Sequence, residues 1–196
     1  MQVASIEAIA DEIISLYQKH GNEDYIGEPV SQIEHMCQCA ELAEAAGADE
    51  ATILAAFFHD IGHLCEFAFP DHGLQHMDGF GIIDHEKLGG KYLRSKGFSQ
   101  DIANMVVSHV DAKRYLTFKN PEYYNLLSEA SKITLIHQGG IMTESEALTF
   151  ESDPLAANYI LLRRWDEQAK MINKPLPALN KYKAMMVWQL TMSANQ

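Results

Sequence analysis

The sequence predicts an all-α helical bundle, and two observations lead there. Apolar residues recur at three- and four-residue spacing along almost the whole chain, and alternating runs of the β type bounded by turns are scarce. The chain has 196 residues, 47% of them hydrophobic, which suffices for one sizeable core and is a poor fit to two. One domain over residues 1–196 is therefore expected.

The first helix is expected from Ser5 to His20, ending at Gly21. The second starts near Ser31 and stops at Gly47, and the third runs from Asp49 through ATILAAFFHDIGHLC to Cys65. Residues 66–83 carry Pro70, His72, His76 and several glycines without a clear period, and read as a long irregular excursion of the kind often found beside a site. A fourth helix from Asp84 to Gly97 and a fifth from Ser99 to Leu116 follow. Pro121 restarts the chain, with further helices over Glu122–His137, Thr143–Glu151, Pro154–Met171 and from Pro177 to the C-terminus. Gly139-Gly140 and the pair Pro175 and Pro177 are the punctuation.

Subtracting 27 acidic from 15 basic side chains gives a formal charge of −12, which argues against a surface that neutralises nucleic-acid phosphates or anionic lipid. Any anion bound here meets a local pocket. The first residues lack a basic-then-apolar leader, and no apolar run nears the roughly 20 residues that cross a bilayer, so a cytoplasmic location is expected. Cys37, Cys39 and Cys65 make an odd count without zinc-type pairs and are expected as reduced, buried thiols.

Nine histidines is a high count, and their company is informative. His35 lies on the second helix, His59-Asp60 on the otherwise apolar third, His85 opens the fourth, His109 sits on the fifth and Asp166 on the penultimate one. A carboxylate in the turn after LAAFFH is expensive to bury unpaired, whereas a bound cation offsets that cost and puts the neighbouring imidazole to use. Satisfied core histidines are the alternative reading.

His35, His59-Asp60 and Asp166, in that order on separate helices, match the H…HD…D signature of the HD-domain superfamily of metal-dependent phosphohydrolases and oxygenases. His85 and His109 fall where its dinuclear members hold a second metal. Longer stretches resemble the mixed-valent di-iron oxygenases of that superfamily, most closely those acting on 2-amino-1-hydroxyethylphosphonate: DYIGEPVSQIEH (24–35), LAAFFHDIGH (54–63), GFGIIDHEKLGGKYLRSKGFS (79–99), SHVDAKRYL (108–116), LSEASKITL (127–135) and RRWDE (163–167). The resemblance implies an HD-domain helical bundle holding an Fe(II)/Fe(III) pair. With O2 as co-substrate, that pair would oxidise C1 of a small organophosphonate and cleave its C–P bond, giving glycine and phosphate. Asp60 would bridge the two ions, with His35, His59 and Asp166 on one and His85 and His109 on the other.

Helical spacing adds an argument of its own. Lys113 follows His109 at i+4 and Arg163 precedes Asp166 at i−3, so each sets a cation about one turn, ~5.4 Å, from a presumed ligand. A substrate touching a metal and both cations would be a small anion with phosphate- or carboxylate-like oxygens. Ser131 and Thr134, also one turn apart, more often cap or back-bond a helix, and their place in a phosphonate pocket rests on the resemblance. So do the roles of Tyr25 as a removable ligand on the second iron, of Glu28 as receiver of the substrate amine, and of His63 beside the substrate without binding iron. His20, His72, His76 and His137 have no assigned part.

A single carboxylate, Glu28, suits a primary ammonium, whereas a trimethylated one prefers an aromatic enclosure, for which Phe67, Phe69 and Phe80 are the candidates. A trimethylamino substrate giving glycine betaine is thus the second expectation. A hydrolase using the same ligands to activate water, and a non-catalytic HD module, are the competing readings from other classes.

Overall fold

The computed structural model describes residues 3–25, 27–69, 74–77 and 81–194. Among these the chain is built of helices, with only two isolated bridges, Asp24 to Ser31 and His76 to Ile82. In order they are α1 (Val3–His20), α2 (Gln32–Ala45), α3 (Glu50–Phe58), a 3-10 turn (Ile61–Leu64), α4 (Cys65–Ala68), α5 (His85–Lys96), α6 (Gln100–Lys119), α7 (Pro121–Leu126), α8 (Glu129–His137), α9 (Glu144–Glu151), α10 (Ala156–Gln168) and α11 (Asn180–Ala194). The all-α fold expected from the periodicity is the one observed. His72 and Phe80 lie outside the described residues.

Local signals set most helix starts. Ser31 caps α2 in a capping box with Glu34, and Thr143 does the same for α9 with Glu146, each pair satisfying otherwise orphaned backbone donors. Asp49, Ser99 and Ser128 cap α3, α6 and α8. Truncating such a cap costs about 1 kcal/mol.

α6 is the central element, packed against α3, α5 and α10, while α2 lies across α3 and α10 and α1 lies against α11. From Thr52 to Phe58 the apolar helix α3 is buried on all sides. Phe57 stacks between Tyr17 and Tyr182, with centroids 4.4 and 4.3 Å away, and its carbonyl accepts the Tyr17 hydroxyl at 2.7 Å. The three cysteines are free and buried.

Two expected helices are divided. The third does not run on to Cys65: α3 ends at Phe58, Asp60 leaves helical geometry (φ −104°, ψ 11°), and a tighter turn follows. The reason is a long-range contact. A Cβ on Gly62 would lie 1.8 Å from the His85 carbonyl oxygen, so the turn presses directly on the start of α5 and brings Asp60 against His85. The helix expected over Glu122–His137 breaks at Leu127, where Ser128 opens α8 with a new cap. Close approach also joins α5 to α6: a Cβ on Gly90 would meet Val107 at 2.5 Å.

Candidate metal centre and adjoining cavity

His35 from α2, His59 and Asp60 from the end of α3, His85 from the start of α5, His109 from α6 and Asp166 from α10 converge in the interior, all at most 4% exposed. His35 Nε2 lies 3.0 Å from His59 Nε2 and 3.2 Å from Asp166 Oδ1. Asp60 faces both ways. Its Oδ2 lies 3.3 Å from His59 Nε2 and 3.7 Å from His35 Nε2, and its Oδ1 lies 3.3 Å from His85 Nε2 and 3.4 Å from His109 Nε2. Burial opposes ionisation of Asp60, yet the surrounding imidazoles, His59 first, hold its carboxyl well below the usual range.

The donor set suits cations. His35 Nδ1 donates to the Ala169 carbonyl (3.0 Å), His59 Nδ1 to Ala56 (2.8 Å) and His109 Nδ1 to Val106 (2.7 Å). These bonds assign a proton to each Nδ1, and in the neutral rings the Nε2 atoms of His35 and His59 are lone pairs facing each other; burial opposes a charge on His59, but Asp60 raises its pKa well above the ordinary value, so the gap between the rings attracts a proton or a cation. Facing lone pairs with carboxylate oxygens around them repel unless positive charge lies between. Donor atoms of His35, His59 and Asp166 lie within 4.8 Å of one another, as do those of Asp60, His63 and His85. The two sets share one wall, the Asp60 carboxylate.

His85 is held differently. Its Nδ1 has no hydrogen-bond partner among the described residues, and 3.7 Å away a Glu86 oxygen is likewise buried without one. At the first position of α5 no preceding turn supplies a carbonyl, which leaves Glu86 as the neighbouring acceptor. His63 stacks on His85 at 4.1 Å and its Nδ1 accepts the Ile82 N–H at 3.2 Å, which places the proton of the neutral ring on Nε2. Burial and then the nearby His85 depress its pKa well below the ordinary value, keeping the ring neutral.

A cavity of about 60 Å³ opens on this cluster. Asp60, His85, His109 and Asp166 line it together with Lys113, Ser131, Thr134 and Arg163. Lys113, 3% exposed, donates to Thr134 Oγ1 at 2.9 Å, and burial with the Arg163 charge lowers its pKa to about 7. Arg163 is committed on two sides, its Nη1 to Asp166 and its Nε to Glu167 (2.9 Å) and the Tyr123 hydroxyl (3.2 Å). Tyr25 and Glu28 line the cavity from a turn closed by the Glu28 N–H on the Tyr25 carbonyl (2.9 Å), in which Gly27 takes φ 79°. The Tyr25 ring stacks on His35 at 4.0 Å, and burial followed by Asp60 and Asp166 pushes its phenol well above the usual range.

Residues 33–171 match the model of the HD domain family. Hydroxymethylphosphonate dioxygenase of Gimesia maris is 38% identical over 170 residues, covering 87% of this chain and 82% of the relative. The glycine-betaine-forming 1-hydroxy-2-(trimethylamino)ethylphosphonate dioxygenase of Leisingera caerulea is 39% identical over 169 residues, 86% of this chain and 84% of the relative. This chain belongs to the HD-domain phosphonate oxygenase family. An uncharacterized protein of Acanthamoeba polyphaga mimivirus is 46% identical over 183 residues, 93% of this chain and 82% of that one.

For a phosphonate oxygenase the cavity holds more polar groups than the spacing argument found. Gln32 and Gln138 line it with amide oxygens that are buried and have no hydrogen-bond partner among the described residues. Gln138 stands four residues after Thr134, and Gln32 three before His35, so the one-turn rule reaches both. Lys170, four residues after Asp166, binds Glu28 at 2.5 Å. Phe67 stacks on His20 at 3.9 Å and Phe69 packs on Tyr92 at 5.9 Å, so neither aromatic candidate lines the cavity.

Proposed function

We propose that this chain catalyses the O2-dependent cleavage of the C–P bond of 2-amino-1-hydroxyethylphosphonate, giving glycine and inorganic phosphate. The supporting observation is one cavity lined both by members of the two-faced Asp60 cluster and by Lys113, Ser131, Thr134 and Arg163. Substrate plus one O2 equals glycine plus phosphoric acid, atom for atom, so no protein nucleophile is needed. His35, His59 and Asp166 would hold one iron, His85 and His109 the other, and Asp60 both. Bound there, an Fe(II)/Fe(III) pair supplies the O2-dependent oxidation of C1.

The protein's own part is placement and charge. The Lys113 ammonium and the Arg163 guanidinium face the phosphonate oxygens, and the Ser131 and Thr134 hydroxyls donate to the same group. Tyr25, held as a phenol, moves aside as the substrate enters, and Glu28 accepts the amine. Neutral His63 donates its Nε2–H beside C1. With Tyr25 the aromatic side chain lining the cavity among the described residues, a hydrogen-bonding primary ammonium suits the site better than a trimethylated one. The Leisingera caerulea relative favours the trimethylated compound, giving glycine betaine, as the second reading.

Iron-loaded protein should release phosphate and glycine together under air and neither under argon. Phosphate release from a phosphoester under argon would replace the oxygenase by a hydrolase using the same ligands.

A further inference from the structure

Glu28 is the carboxylate that lines the cavity away from the histidine cluster, and in this structure its Oε1 is already bound by a primary ammonium, the Nζ of Lys170. The pair is sheltered, the Glu28 side chain being 9% and the Lys170 side chain 21% exposed. It is also anchored. Ala169, just before Lys170, receives the His35 Nδ1–H, and Met171, just after it, is clamped by buried Gln38, which accepts the Met171 N–H at 2.8 Å and donates to its carbonyl at 2.9 Å. Lys170 therefore hangs from a segment tied to the metal centre. Other lysines near the same end, Lys174 on Glu41 and Lys181 on Glu44, pair with carboxylates that do not line the cavity.

We propose that Lys170 is a specificity-determining residue: a tethered primary ammonium that fills the Glu28 seat until the ammonium of an aminated phosphonate takes its place. This rests on the reading that the cavity receives such a phosphonate. Two ammonium groups on one sheltered carboxylate repel, so the exchange is one for one. A substrate –NH3+ reproduces the N–H···O bonds that Lys170 gives up, whereas a trimethylammonium donates none and leaves the carboxylate unsatisfied. A phosphonate with no cation leaves the Lys170 pair in place. Lys170 thus discounts the affinity for every cationic phosphonate by a common amount relative to a cation-free one, while the choice between a primary and a trimethylated ammonium rests on the bonds that Glu28 itself accepts.

The test is calorimetric binding of unreactive probes to the iron-loaded protein: 2-aminoethylphosphonate, its N-trimethylated form and ethylphosphonate, each against wild type, Lys170→Met, Lys170→Gln and Lys170→Arg. Both uncharged variants should bind 2-aminoethylphosphonate and its N-trimethylated form each about tenfold more tightly than wild type, with the ratio between the two unchanged, and bind ethylphosphonate within about twofold of it. Lys170→Arg should behave as wild type. Parallel shifts for all three probes, or weaker binding of the amine in either uncharged variant that retains normal iron content, would overturn the role given to Lys170 while leaving the phosphonate reading intact. Absence of binding by every probe to every form would overturn both.

Discussion

The two halves of the metal centre are supported differently. On the His35 side the imidazoles lie behind the cavity, each tied through Nδ1 to a backbone carbonyl, and Asp166 is gripped by Arg163. On the His85 side the rings of His85 and His109 face the cavity, and His85 has a carboxylate neighbour, Glu86, in place of a carbonyl. The contrast separates an anchor from a working face. In the proposed reaction substrate would meet the half whose donors are fewer and which lies beside Lys113 and Thr134, while the other half would fix Asp60 between them.

The most severe way to break this comparison is to remove what the halves share. Asp60→Ala should lose both irons and all turnover, read by iron analysis and phosphate release; two retained irons with full activity would refute the bridging role. Next comes the cavity wall. Lys113→Ala should weaken phosphonate binding by roughly 10- to 150-fold, on the order of 1.5–3 kcal/mol for a charge-assisted bond, with near-normal iron content. Iron loss there would make Lys113 a support of the fold instead.

Two smaller effects sharpen the distinction. Glu86→Ala should lower affinity for the ion on the His85 side by about tenfold and spare the anchor ion, so metal titration becomes biphasic. A single unchanged phase would mean that Glu86 does not orient His85. The pH profile reports the same face. Lys113 carries its charge below about pH 7 and loses it as pH rises through that value. kcat/KM for a phosphonate dianion, corrected for the substrate's own titration, should fall by about tenfold per unit above it. Lys113→Arg, charged throughout, should flatten that limb; a limb unchanged by the substitution would assign it to another group.

Much of the architecture was legible in the sequence because helix periodicity and caps are local. Ser31 with Glu34 and Thr143 with Glu146 announce their helices within four residues. The break after Phe58 was not, because it is imposed by Gly62 pressing on His85 across the fold, and an apolar run such as ATILAAFFHDIGHLC carries no mark of that contact. The side chains singled out by the H…HD…D pattern and by one-turn spacing do gather around one cavity, with His35 and His59 behind its wall. Gln32, Gln138 and Lys170 escaped notice for a different reason. Gln32 and Gln138 obey the one-turn rule relative to a chosen residue, but glutamines at that spacing are common on solvated faces; Lys170 lies past the end of α10, and only the folded chain turns these three toward the cavity or Glu28.

Anomalous diffraction at the iron edge from crystals of the iron-loaded protein tests the central claim most directly. Two peaks are expected, one among His35, His59, Asp60 and Asp166 and one among Asp60, His85 and His109, on opposite faces of the Asp60 carboxylate. A single peak, or none within reach of Asp60, would contradict the account.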